Sequence, residues 1–237
     1  MPGYHTKHED IAIAGVADLR IRSLLDRQQF ADPSGAAAAL GISSAAWPLF
    51  GLLWPSGQRL AALMALRPVR ADERILELGC GLALASLVSH RRGADVTASD
   101  CHPLAGDFLG ENLRLNGLPP LPYCHGHWGA IGNTHGALAD PLQAPPPQGR
   151  FDLIIGSDVL YERDEAGTLA QFITLHAQAT AQVLIIDPNR GNRPAFNRRM
   201  ASAGFVLSET RLDELPAFVG SYKGRLLSYE RTDGVTH

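Results

Sequence analysis

The chain has 237 residues, enough for one α/β domain with an N-terminal extension and a sizeable core. A net charge of -3 and 19% charged residues argue against a polyanion partner, because nucleic-acid binding needs a basic face. Arg190, Arg193, Arg198 and Arg199 form a local basic group that reads as a solvated helix face. Three cysteines, Cys80, Cys101 and Cys124, have no C-x-x-C spacing, so neither a disulfide framework nor a zinc site is expected. His125 and His127 have no third ligand in reach of the pattern. No apolar run approaches a membrane span, and the first residues lack the apolar core of a signal peptide. The expected compartment is the reducing cytoplasm.

Residues 1–46 read as an extension. Between Asp10 and Arg22 the apolar residues alternate around Gly15 and Asp18, which predicts two short strands in a hairpin. An aromatic stretch from Trp47 to Gly57 leads into a helix over about Gln58 to Leu66, and Pro68 prevents its continuation. From Arg74 strands and helices alternate. Arg74–Gly79 is a strand that ends in a glycine turn. Leu82–Arg92 is a helix with Gly93 as a left-handed cap, and Ala94–Asp100 is the second strand. A helix over Pro103–Asn116 and a strand over Tyr123–Trp128 follow, then a glycine- and proline-rich loop over 129–150. Phe151–Ser157 and Ala181–Ile186 are apolar runs typical of buried parallel strands. Helices are expected over Glu165–Gln178 and Arg193–Ala203, and two final strands, Phe205–Leu212 and Arg225–Arg231, are placed to pair antiparallel. The alternation predicts a Rossmann-like, doubly wound, mostly parallel seven-stranded sheet over 47–237.

The chemistry concentrates at Glu77-Leu78-Gly79-Cys80-Gly81-Leu82-Ala83, a glycine turn between the first strand and first helix of an α/β unit. About twenty residues on, the second strand ends in Asp100, placed to accept hydrogen bonds from both hydroxyls of a ribose. A dinucleotide would be the obvious ligand, but Leu84 stands where G-x-G-x-x-G needs glycine. Glu77 ahead of the turn would also repel a pyrophosphate. An acidic floor suits S-adenosylmethionine, which has no phosphate and carries a cationic amino group and a sulfonium.

Further stretches carry a resemblance. Trp54-Pro55-Ser56-Gly57-Gln58, the paired Asn112 and Asn116, Trp128-Gly129 and Asp152–Tyr161 with its D-x-x-Y (Asp158, Tyr161) are similar to motifs of class I, seven-strand methyltransferases, within them the family 16 lysine methyltransferases. Asp187-Pro188-Asn189-Arg190 resembles the branch that methylates the electron-transfer flavoprotein β-subunit, whose bacterial members are sometimes labelled nicotinamide methyltransferases. The resemblance implies a cofactor site of Trp54, Glu77, Gly79, Cys80, Gly81, Asp100, Trp128 and Ser157. It implies that Asp158 orients the acceptor amine and that Tyr161 walls its channel. It covers about 47–190; Ala83 departs from the usual G-x-G-x-G, and residues 1–46 match nothing in it. From spacing alone, Trp54 and Trp128 read equally well as core aromatics, and Asp158 as a helix cap. A protein lysine is the expected acceptor, and a nicotinamide-like small amine is the alternative. A cofactor-binding module without catalysis is the reading from another class.

Overall fold

A computed structural model describes residues 3–126, 128, 145–161, 163–214 and 222–232. Among these, nine strands form a two-stranded and a seven-stranded sheet. The small sheet is the expected hairpin, β1 (Thr6–Ile11) antiparallel to β2 (Leu19–Leu24). The large sheet comprises β3 (Arg74–Leu78), β4 (Asp95–Asp100), β5 (Tyr123–His125), β6 (Phe151–Ser157), β7 (Ala177–Asp187), β8 (Val206–Arg211) and β9 (Arg225–Arg231). Their order is β5-β4-β3-β6-β7-β9-β8. β5, β4, β3, β6 and β7 run parallel, whereas β9 pairs antiparallel with both β7 and β8. The mostly parallel seven-stranded sheet is thus as the sequence predicts. Six helices accompany it: α1 (Ala36–Ala39), α2 (Pro55–Leu66), α3 (Leu84–Arg91), α4 (Ala105–Leu115), α5 (Thr168–His176) and α6 (Arg193–Ser202).

Alternation along the buried strands divides the core between the two sheet faces. Ile75, Val96, Leu153, Ile155, Leu184 and Ile186 pack towards α2, α3, α4 and the hairpin. Leu76, Leu78, Ile154, Val183 and Ile185 pack towards α5 and α6. The hairpin belongs to the first of these cores: Leu19, Ile21 and Leu24 are fully buried with Trp47, Phe108 and Leu109.

The two asparagines of α4 explain how the hairpin is held. Asn112 accepts a hydrogen bond from the Arg22 amide at 2.8 Å and donates to the Arg22 carbonyl at 3.4 Å. Asn116 does the same with Arg20, at 3.0 and 2.8 Å. Four residues on a helix advance about 6 Å, and two on a strand nearly 7 Å. The side-chain amides therefore meet alternate edge groups of β2 and replace a neighbouring strand.

Element ends differ from expectation for local reasons. α2 begins at Pro55, with extended Trp54 as its N-cap, because proline suits the first helical position. α5 begins only at Thr168, where the Asp164 carboxylate accepts from the Thr168 and Leu169 amides at 2.9 and 3.0 Å. β5 ends at His125 rather than Trp128, and β7 begins at Ala177, four residues earlier than its apolar run. His127, Gly129 and most of the predicted loop over 129–150 lie outside the described residues. Among the described residues no helix is long and apolar enough to cross a membrane.

The strand order reverses between β3 and β6. Ligands in open α/β sheets sit at such a switch point, beyond the carboxyl ends of the strands. Gly79, Asp100, Ser157 and Asp158 all lie at those ends.

Candidate active site

A cleft of about 1040 Å³ opens at the switch point. It is lined by every one of the ten predicted site residues: Trp54, Glu77, Gly79, Cys80, Gly81, Asp100, Trp128, Ser157, Asp158 and Tyr161.

The turn after β3 is left-handed at Gly79 (φ 55), Gly81 (φ 51) and Ala83 (φ 58). A Cβ on Gly81 would lie 2.8 Å from the Phe50 carbonyl oxygen, so the aromatic stretch before α2 can close over the turn only if this residue is glycine. Ala83 takes the same backbone region that the resemblance assigns to glycine, at a cost of about 1–2 kcal/mol.

Three of the turn amides are already engaged. The Gly81 amide donates to Asp100 Oδ2 at 2.8 Å, the Cys80 amide to the Ser99 carbonyl at 2.9 Å, and the Ala83 amide to the Cys80 carbonyl at 2.7 Å. A pyrophosphate site needs such amides turned towards the ligand. Here two buried carboxylates stand behind the turn instead. Asp100, 6% exposed, also accepts from the His102 amide at 2.8 Å. Glu77, 3% exposed, accepts from the Ser86 amide at 2.8 Å and from the Ser86 hydroxyl, which joins it to the first turn of α3. Burial raises the pKa of both acids, that of Glu77 to about 7. Each would be stabilised as an anion by a cation in the cleft. Glycine close approach and an acidic floor fit a cationic, phosphate-free nucleoside cofactor such as S-adenosylmethionine. They fit a dinucleotide poorly.

Aromatic groups line the cleft. Trp54 donates its indole N–H to the Leu49 carbonyl at 2.9 Å, and the Arg27 guanidinium sits 5.1 Å from the Trp54 ring. Trp128 meets Phe172 edge-on at 6.2 Å, and its ring edge would touch a Cβ placed on Gly79. Several cleft residues were not anticipated. His102 is buried and stacked on Phe50, with ring centroids 3.7 Å apart, and burial lowers its pKa to about 3. Nothing in the sequence ties Phe50 to His102, 52 positions later. Residues 40–46 also contribute Leu40, Gly41, Ile42, Ser43 and Ala46 to the cleft wall.

β6 and β7 build the other end of the cleft. Asp158 adopts φ 56, and its amide donates to the Ile186 carbonyl at 2.9 Å. It caps no helix: its carboxylate receives a fork from Arg190, Nε to Oδ1 at 2.8 Å and the second nitrogen to Oδ2 at 2.9 Å. This corrects the reading of the arginine group as a solvated helix face for three of its four members, while Arg198 is exposed on α6 as that reading expects. Arg190 pairs with Asp158, Arg193 lies within 3.9 Å of Asp187 and Glu209, and Arg199 donates to the carbonyls of Asp164 and Glu165. Tyr161 is 46% exposed at the cleft.

A family model described as lysine methyltransferase matches residues 51–201. The electron transfer flavoprotein beta subunit lysine methyltransferase of Danio rerio is 32% identical over 155 residues, which cover 64% of this chain and 54% of that protein. The histone-arginine methyltransferase METTL23 of Rattus norvegicus is 31% identical over 116 residues, 48% of this chain and 47% of that protein. The chain spans about half the length of the curated relatives it matches. Among solved structures, a methyltransferase from Pyrococcus furiosus aligns with a TM-score of 0.54 at 17% identity, covering 82% of this chain and 96% of that one, which speaks to the fold. Because that family model matches more than half of its length, the chain belongs to the lysine methyltransferase family.

Proposed function

We propose that the protein is an S-adenosylmethionine-dependent N-methyltransferase that acts on a lysine amine of a protein substrate. The observation that carries this reading is the acidic floor. Glu77 and Asp100 stand behind a glycine turn whose Cys80, Gly81 and Ala83 amides already have partners, in one cleft with the Asp158 carboxylate. Bound there, S-adenosylmethionine would supply an electrophilic methyl to the acceptor lone pair, with its sulfur taking the electron pair of the broken C–S bond.

The residues divide this task between binding and orientation. Asp100 receives the ribose hydroxyls with the acceptor capacity that the Gly81, His102 and Cys101 amides leave it. Glu77 offsets the charge of the cofactor amino group. Gly79, Cys80 and Gly81 bring backbone close to the ligand, Trp128 and Trp54 flank it, and Ser157 lies beside the reacting end. Asp158 accepts a hydrogen bond from the acceptor nitrogen and aligns it for in-line attack, where orientation supplies several kcal/mol of the barrier. The Tyr161 ring walls the amine channel with a face that attracts a cation. A lysine reaches this point with its proton already lost to solvent, because an ammonium has no lone pair.

The resemblance of Asp187-Pro188-Asn189-Arg190, together with the Danio rerio relative, supports the β-subunit of an electron-transfer flavoprotein as the substrate. Residues 1–46 act as a cap on the cleft, supported by the lining from Leu40 to Ala46. The net charge of -3 and the internal pairing of Arg190, Arg193 and Arg199 support the absence of a nucleic-acid partner. Three cysteines with neither a disulfide framework nor zinc spacing in the sequence support a cytoplasmic location. Incubation of the protein with methyl-labelled cofactor and a cell lysate, resolved on a gel, tests the acceptor class. A labelled protein band is expected. Label confined to the small-molecule fraction would replace the lysine reading with the nicotinamide-like one.

A further inference from the structure

A free carboxylate beside the acceptor would create a difficulty. It would hold a lysine as its ammonium, the form that cannot attack. The structure contains an answer in the Asp158–Arg190 fork. We propose that Arg190 is a positioning residue whose guanidinium neutralises Asp158 during transfer, so that the carboxylate orients a neutral acceptor amine without holding it as an ammonium. This inference rests on the methyltransferase reading and on Asp158 facing the transferred methyl.

Three observations carry it. The fork is bidentate, at 2.8 and 2.9 Å, and uses one lone pair on each carboxylate oxygen. A carboxylate has about four acceptor positions, so about two remain for an acceptor nitrogen. The pair lies at the cleft, with the Asp158 side chain 13% exposed and that of Arg190 40% exposed.

The second observation is that the arginine is held from beneath. Its amide donates to Oδ2 of the fully buried Asp187 at 3.0 Å. The preceding Asn189, left-handed at φ 67, donates to the Lys223 carbonyl at 2.8 Å and accepts from Arg193 and Arg225, each at 3.1 Å. The third is that Asp158 is itself left-handed, fixed by its amide bond to the neighbouring strand β7. Two non-glycine residues in this sparsely populated region, at the ends of adjacent strands, bring the two charges together. Such conformations persist where surrounding structure over-determines them. Asp187 and Tyr222 are the other titratable groups that feel this pair.

Calorimetry with two ligands tests the idea without any acceptor. S-adenosylhomocysteine is neutral at the sulfur. Sinefungin carries a protonated amine where the transferred methyl sits, and so reports the charge that an acceptor site presents to an ammonium. The ratio of the two dissociation constants is read for the wild type, Arg190→Ala, Arg190→Lys and the double variant Arg190→Ala with Asp158→Asn. Removal of the guanidinium should tighten sinefungin relative to S-adenosylhomocysteine by about tenfold. Lysine at 190 should keep the ratio near the wild-type value, and the double variant should return to it. A merely structural arginine would weaken both ligands together and leave the ratio unchanged, which would overturn the proposal. If Arg190→Ala does not fold, Arg190→Gln is read against Arg190→Lys with the same two outcomes. A wild-type protein that binds neither ligand would instead overturn the methyltransferase reading on which the proposal rests.

Discussion

Glu77 gives the most informative perturbation, because its burial makes cofactor binding depend on pH. Its carboxyl is 3% exposed, and burial lifts its pKa from 4.5 to about 7. The folded, ligand-free protein therefore holds a proton on Glu77 that the unfolded chain releases near pH 4.5. Stability falls as pH rises from about 4.5 to about 7, by up to roughly 3 kcal/mol at 1.4 kcal/mol per unit, and is flat above that range. A cationic amino group placed beside Glu77 reverses the preference by favouring the anion. S-adenosylhomocysteine should accordingly bind more tightly as pH rises from 6 to 8, by up to about tenfold per unit below the folded pKa. Near pH 7 binding should release about half a proton. Titration calorimetry in two buffers of different ionisation enthalpy measures both quantities. Glu77→Gln keeps an acceptor for the Ser86 amide and removes the charge. It should abolish the proton release and weaken binding at pH 8, while leaving the ligand-free protein at least as stable there. Binding without proton linkage in the wild type, or unchanged affinity in a folded Glu77→Gln, would refute the reasoning.

Three other perturbations have defined outcomes. Asp100→Ala should weaken S-adenosylhomocysteine by about 2–3 kcal/mol, or roughly 30–150-fold, and Asp100→Asn by less, since it keeps one acceptor; an unchanged dissociation constant in the folded alanine variant would remove Asp100 from the site. Trp128→Ala should cost about 1–3 kcal/mol of cofactor affinity if the ring stacks on adenine, and a large fall in melting temperature at constant affinity would make it a core aromatic instead. Asn112→Ala leaves the Arg22 amide without its partner against α4 and should destabilise the fold by about 1–3 kcal/mol in thermal denaturation; a neutral result would show that the hairpin is held by its apolar face alone.

The parts legible in the sequence were those with a local physical signature. β6 and the Ala181–Ile186 part of β7 are apolar runs of strand length, the glycines of the first turn sit where the backbone is left-handed, and Asp100 lies at the end of its strand as its spacing requires. β8 and β9 pair antiparallel as expected. All ten predicted site residues line one cleft because the sheet brings the carboxyl ends of its strands together. What was not legible depends on segments far apart in the chain. The Asp158–Arg190 fork joins residues 32 apart, and no periodicity marks it. The Phe50 carbonyl against Gly81 and the Phe50–His102 stack arise only when the aromatic stretch folds over the turn. Asn112 and Asn116 stood out as a pair, yet their bonds to the edge of β2 are invisible until the hairpin is docked. The early start of β7 has a similar cause: Ala177 pairs with Phe151, across a register shift from the main run that begins at Leu153 and Gln182.

The proposed reaction is transfer of a methyl group from S-adenosylmethionine to a lysine. Peptide mass spectrometry of purified electron-transfer flavoprotein, incubated with this protein and the cofactor, reads that transfer at a single residue. The expected result is methylation of a lysine in the β-subunit, absent without cofactor and lost with Asp158→Asn. Methylation mapped to arginine, or formation of S-adenosylhomocysteine with no modified peptide in the presence of a small amine, would contradict it.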